Sequence, residues 1–126
     1  MFEEPDFSTT SALDDDNNSD YKTIVALQRL IMQNGENTAF ARRLPYIFQE
    51  QGLSNIQAEG YVPINHGNSY LAEMHYRTTN HLKGVLIQSK LVQADTLDTF
   101  LNECHDSNHW TRECQVICIS GQRLST

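Results

Sequence analysis

The stretch Asn37 to Asn65, NTAFARRLPYIFQEQGLSNIQAEGYVPIN, constrains the fold of this chain more than any other. Phe40, Leu44, Ile47 and Phe48 recur at helical spacing, with Arg42, Arg43, Gln49 and Glu50 on the opposite side, which is the pattern of an amphipathic helix. Pro45 removes one helix hydrogen bond, so the helix kinks or restarts near Leu44 and its regular part is expected from Pro45 to Gln51. Gly52 supplies the positive φ of a helix C-terminus. From Asn55 to Ile64 the chain alternates Ile56, Ala58, Gly60, Val62 and Ile64 against Gln57, Glu59 and Tyr61, the period of a strand. A helix, a glycine turn and a strand form an αβ half-step that cannot bury its own apolar face, so the rest of the chain must supply the other layer.

The 126 residues and their 39% apolar content suit one domain with a modest core. The net charge of -7, with nine scattered basic residues, argues against a nucleic acid or an anionic membrane as partner, because both reward clustered Lys and Arg. No apolar run approaches the ~20 residues of a membrane helix, and acids occupy the N-terminus where a signal peptide has basic and then apolar residues. The expected location is cytoplasmic, with Cys104, Cys114 and Cys118 reduced.

In chain order, Met1 and Phe2 read as the tail of an apolar strand that Glu3, Glu4, Pro5 and Asp6 terminate. Residues 8–20 are polar and rich in Asp, the composition of a mobile loop; a calcium loop would require a Gly and a terminal Glu that are missing. Ile24, Val25, Leu27, Leu30 and Ile31 predict a helix over Tyr21–Gln33, capped by Asp20 and stopped by Gly35. After the central unit, His66–Ser69 forms a turn. Leu71, Met74, Thr78, Leu82, Val85 and Leu86 then trace one face of a long helix ending near Lys90, which Gly84 weakens and where it allows a bend or a close contact. A second helix carries Leu97, Phe100, Leu101 and Cys104, with Ala94 and Asp95 in its first turn, completing a helical hairpin. Cys114–Ile119 (CQVICI) reads as a buried strand ended by Gly121 and Arg123, which pairs antiparallel with the earlier strand while the preceding helix covers the sheet.

Glu103, Cys104, His105, His109, Cys114 and Cys118 form the one metal-like cluster, but their spacing matches no closed zinc pattern. On one strand, Cys114 and Cys118 would stand about 13 Å apart, too far to share an ion. Burial explains the cysteines better, and nothing nearby stabilises a thiolate for a Cys–His nucleophile. Glu3, Glu4 and Asp6 are candidate acid–base carboxylates whose simpler reading is a solvated loop. His75 and His81 face different directions on one helix and, with His66 on the turn, do not make a joint metal site. Trp110 and the Phe40, Leu44, Phe48 stripe read as core.

FEEPDF, a loop, an apolar helix, then ARRLPYIFQEQGLSNIQAEG and a late helical hairpin ending in a short strand together resemble the C-terminal half of a class I S-adenosylmethionine-dependent methyltransferase of the small-molecule type. The resemblance covers nearly the whole chain. It implies an α/β fold with a partial Rossmann-like sheet: the end of the fifth strand, then the sixth and seventh strands antiparallel, with a helical hairpin inserted between them. It places Glu4, Asp6 and Phe7 in the wall of a substrate pocket, and Tyr70, Met74 and Tyr76 in its lid. The family's cofactor residues have no counterparts, because all six glycines are isolated and no G-x-G occurs. S-adenosylmethionine is therefore the cofactor of the complete family, and none is expected to bind this chain alone.

Three readings follow: a truncated or misread methyltransferase fragment inactive alone; a split enzyme that docks on a separate cofactor-binding half; and an interaction module that buries an open sheet edge in a homodimer. In the first two the acceptor is a small molecule rather than nucleic acid.

Overall fold

The computed structural model describes residues 1–11, 13, 18–35, 37 and 39–123. It is a mixed α/β structure of antiparallel sheets and four α-helices: β1 (Phe2–Asp6), α1 (Ser19–Gln33), α2 (Leu44–Glu50), β2 (Ser54–Tyr61), β3 (Ile64–His66), α3 (Tyr70–Gln88), α4 (Ala94–Glu103), β4 (Trp110–Arg112) and β5 (Gln115–Gln122). The three-stranded sheet has the order β1-β5-β2, and β3 pairs with β4 in a separate two-stranded sheet.

The last strand lies between the first two and is antiparallel to both. β1 and β2 therefore run parallel with a gap between them, the product of a crossover through α1 and α2 that β5 fills last. The antiparallel pairing of the late strands is as expected. β1, however, does not stop at its acids: Phe2 lies opposite Ile119 and Asp6 opposite Gln115, so the strand continues through Pro5. A proline is tolerated because β1 is an edge strand with a ladder on one side only.

The strand expected from Asn55 to Ile64 is in fact two. Pro63 interrupts it, and the return strand is interrupted opposite, where Glu113 N–H donates to the Pro63 carbonyl at 2.9 Å. Tyr61 pairs with Val116 and Ile64 with Arg112, so the register slips by one residue across this break. β2–β3 and β4–β5 are thus one long antiparallel ribbon bent at a bulge, with the α3–α4 hairpin inserted at its far end.

Two separate clusters hold the layers. Ala41, Leu44 and Ile119 are buried with Phe48, Ile56 and Ile117 packed around them, fastening α2 and the 3-10 turn Phe40–Arg43 to one face of the sheet. As expected, the proline falls in the first turn of α2, where its missing N–H costs nothing. Gly121 lies inside β5 rather than ending it, and a Cβ there would sit 3.2 Å from Phe48 and 3.3 Å from Leu53. β5 is only half buried, Ile119 excepted, because among the described residues the opposite face of the sheet, with Cys118 and Tyr61, has no comparable helix on it; Cys114 precedes the strand. The second cluster, Ala26, Leu86 and Leu97 with Leu27, Leu30 and Leu82, joins α1, α3 and α4.

Several local expectations are corrected. Asn18, not Asp20, caps α1 by accepting the Tyr21 N–H, and Asp20 is buried within the first turn. The mobile loop expected over residues 8–20 lies partly outside the described residues; of the rest, Phe7–Thr9 forms a 3-10 turn and α1 already begins at Ser19. Trp110 is 53% exposed, its ring edge-on to His66, and Phe40 is 40% exposed, so neither is core. Val62 and Ile64 are exposed because the ribbon leaves the sheet at Pro63. Around Gly84 nothing lies close, and the helix passes through it. No described helix is long and apolar enough to cross a membrane.

Candidate functional site

The bend of the ribbon lays the α3–α4 hairpin against α1, and a small cleft with about 30 Å3 of internal space opens between them. Its lining is more apolar than polar, with Tyr21, Ile24, Ala72 and Phe100 among the lining residues. Charged groups reach it from each surrounding element: Asp20 from α1, His75 from α3, Glu103 from α4, and His109, Arg112 and Glu113 from the ribbon side.

These groups form two imidazole–carboxylate sets. His75 Nε2 lies 2.9 and 3.0 Å from the two Glu113 oxygens, and both side chains are largely buried. His109 Nε2 lies 2.6 Å from Glu103 Oε2 and 3.5 Å from Asp20 Oδ2. Neither contact has hydrogen-bond geometry, and this buried nitrogen has no hydrogen-bond partner among the described residues. Asp20 Oδ1 accepts the Tyr21 N–H at 2.8 Å, and Glu103 accepts the Ser19 hydroxyl. At the mouth, Arg112 donates to the Thr9 carbonyl at 2.9 Å and to Ser11 Oγ at 2.8 Å.

Burial pushes the Cys104 thiol up to about 12, aided by the negative charges of Glu103, Glu73, Asp20 and Glu113. Burial and then Glu113 raise Cys114 to about 11. Both are protonated thiols at neutral pH, which removes them as nucleophiles. Cys118 donates to Glu3 Oε1 at 3.3 Å, and desolvation followed by that contact raises it as well. Among the described residues no group of three or more His, Cys, Asp or Glu could hold a metal ion. Of the metal-like cluster only Glu103, Cys104 and His109 reach the cleft; His105 instead contacts Glu73 and stacks on Tyr76.

None of the six residues assigned by resemblance lines this cleft. Asp6 is buried at the end of β1, where it accepts the Ser8 N–H and pairs with Arg42 at 3.3 Å. Glu4 and Phe7 are half buried beside it. On α3, Tyr70 is 89% and Met74 46% exposed, while Tyr76 lies 4.2 Å from the His105 ring. β1 and α3 therefore hold two separate groups. Sequence reasoning had set His75 aside and read Asp20 as a cap; the missed signal was Asn18, a competent cap two residues earlier. Comparisons with family models, with curated proteins and with solved structures each find no match.

Proposed function

We propose that this chain is the acceptor-side part of a class I S-adenosylmethionine-dependent methyltransferase, completed by a cofactor-binding half on other polypeptide. One observation carries the reading: the strand taken as the seventh is antiparallel to the sixth, with the helical hairpin inserted between them in the sequence order that the resemblance requires. β1, taken as the fifth strand, is the sheet's edge and presents an open ladder to which further strands can add.

The glycines do not fit the cofactor. Gly35 and Gly52 adopt positive φ at helix ends, Gly84 lies within α3, and Gly60, Gly67 and Gly121 permit close packing. None of them forms a strand–loop–helix cradle for a nucleotide. The chain's own part is to wall and cover a small-molecule acceptor, through Glu4, Asp6 and Phe7 at the end of β1 and Tyr70, Met74 and Tyr76 on α3.

The test measures S-adenosylmethionine binding by calorimetry, and mass in solution, for the natively purified assembly and for the chain alone. The assembly is expected to contain a foreign subunit and to bind, and the isolated chain to give no heat. Micromolar binding by the isolated chain overturns the proposal. A mass of two chains with no foreign subunit overturns it in favour of a homodimer joined through the open edge.

A further inference from the structure

We infer that the groove between α1 and the chain leading into α4 binds a small linear organic dicarboxylate, its carbon chain lying over Val25, Ala26, Leu91 and Val92 and its two ends at Lys22 and Arg29. The inference is independent of the methyltransferase reading, because none of the six residues assigned to an acceptor lines this groove.

Charge complementarity carries it. The chain holds sixteen acidic residues against nine basic ones, yet among the described residues two of the bases and no Asp or Glu line the groove. Arg42, Arg77 and Lys83 each pair with a carboxylate, and Arg112 donates to Thr9 and Ser11. Lys22 and Arg29, both exposed, make no such contact among the described residues. Asp95, which follows the groove in sequence, has one carboxylate oxygen on the Thr96 N–H at 2.8 Å. The remaining lining residues, Tyr21, Gln93 and Thr96, carry hydroxyl or amide groups that can donate to a carboxylate. Every polar side chain of the groove can therefore serve an anion, and two of them also bring positive charge.

Spacing sets the form of that anion. Lys22 and Arg29 are two turns apart on one face of α1, about 10 Å along its axis, and Val25 and Ala26 lie between them. Leu91 and Val92 form the facing wall and pack against the buried cluster of Ala26, Leu86 and Leu97, so the apolar floor is fixed by the core. A monocarboxylate can meet one cation with its stem on this floor; a second carboxylate at the far end of the stem meets the other. The groove encloses about 360 Å3, room for a chain of about eight carbons.

The probes are suberate, octanoate and octanediol, titrated at neutral pH into the 15N-labelled full chain while the amides of Val25, Arg29 and Val92 are followed. Suberate is expected to shift these amides saturably in the millimolar range or below, about threefold tighter than octanoate, the effect of one further exposed ion pair, and octanediol to bind more weakly than either. Arg29→Gln and Lys22→Gln, both at exposed positions, should each erase the preference for suberate over octanoate, with the amides of Leu86 and Leu97 unmoved to show that the fold is kept. Equal affinity for suberate and octanoate, shifts confined to other residues, no saturable shift in the millimolar range, or a preference that survives both substitutions would each overturn the inference.

Discussion

Gly67 is where one methyl group should do the most damage. It is buried in the turn between β3 and α3, against the last turn of α4. A Cβ there would lie 2.6 Å from the Glu103 carbonyl oxygen and closer still to that of Asp106. Both are backbone atoms held in turns of their own, by Asp106 N–H to Glu103 and His109 N–H to Asp106, so no flexible side chain can swing aside. Ordinary contact requires displacement by roughly 1 Å, which strains two bonds that lock the turn: Gly67 N–H to the His109 carbonyl at 2.9 Å and Asn68 N–H to the Cys104 carbonyl at 2.8 Å. Overpacking of about 1–3 kcal/mol, with about 1 kcal/mol for each of the two weakened bonds, gives a loss of roughly 3–5 kcal/mol for Gly67→Ala. With an unfolding entropy near 2.1 cal/mol/K per residue, the melting temperature should fall by about 11–19 °C. The control is the same substitution at Gly84, where nothing lies within 4 Å of the added carbon and the residue sits in an exposed helix interior. Gly84→Ala should gain about 1 kcal/mol and raise the midpoint by about 4 °C. Calorimetric melts of the parent and the two variants decide the matter: a Gly67→Ala midpoint within about 2 °C of the parent, or a lower one for Gly84→Ala, would refute the packing described here.

Leu86 has no solvent exposure and packs with Ala26 and Leu97, so Leu86→Ala should cost about 2–5 kcal/mol in urea denaturation; a smaller loss would show that the helical cluster is loose. Arg42→Ala removes the ion partner of Asp6, whose side chain is 3% exposed, but leaves its Ser8 contacts; because Arg42 itself is half exposed the loss should be about 1 kcal/mol, read from the same urea midpoint. The thiols predict the alkaline limb of stability. An unfolded cysteine releases its proton near pH 8.5, while folded Cys104 and Cys114 retain theirs to about 12 and about 11, so between pH 9 and 11 the folded state binds more protons and stability falls as pH rises. Urea midpoints across that range should decline less steeply in Cys104→Ala than in the parent, and equal slopes would contradict the burial assigned to that thiol.

All four helices were legible from the 3.6-residue period, as over Ile24 to Ile31, but the stripe expected on α3 is only partly the packed one: Met74, Thr78 and Val85 are exposed, while Thr79 is buried beside Leu86's face. Strands were read less well because their neighbours decide what they tolerate. Pro5 signals termination in an isolated reading and is harmless on an edge; Pro63, counted through in the alternation from Ile56 to Ile64, is where the ribbon breaks. The cleft was hardest to see, because its members lie at positions 20, 75, 103, 109 and 113 and no local period brings them together. A clue was present at the start of α1: once Asn18 takes the cap, Asp20 need not serve as one, and its second oxygen faces His109.

The open edge of β1 and the cleft are mechanically joined. β1 ends at Asp6, and within the next turn the Thr9 hydroxyl donates to the Asp6 carbonyl at 2.7 Å and accepts the Gln115 N–H at 2.7 Å. The Thr9 carbonyl takes Arg112 at the mouth of the cleft, and Thr10 and Ser11 are themselves part of its wall. One short segment therefore fixes the end of β1, the start of β5 and the entrance to the cleft. A strand added to β1 would therefore restrain, through this one segment, both the start of β5 and the entrance to the cleft.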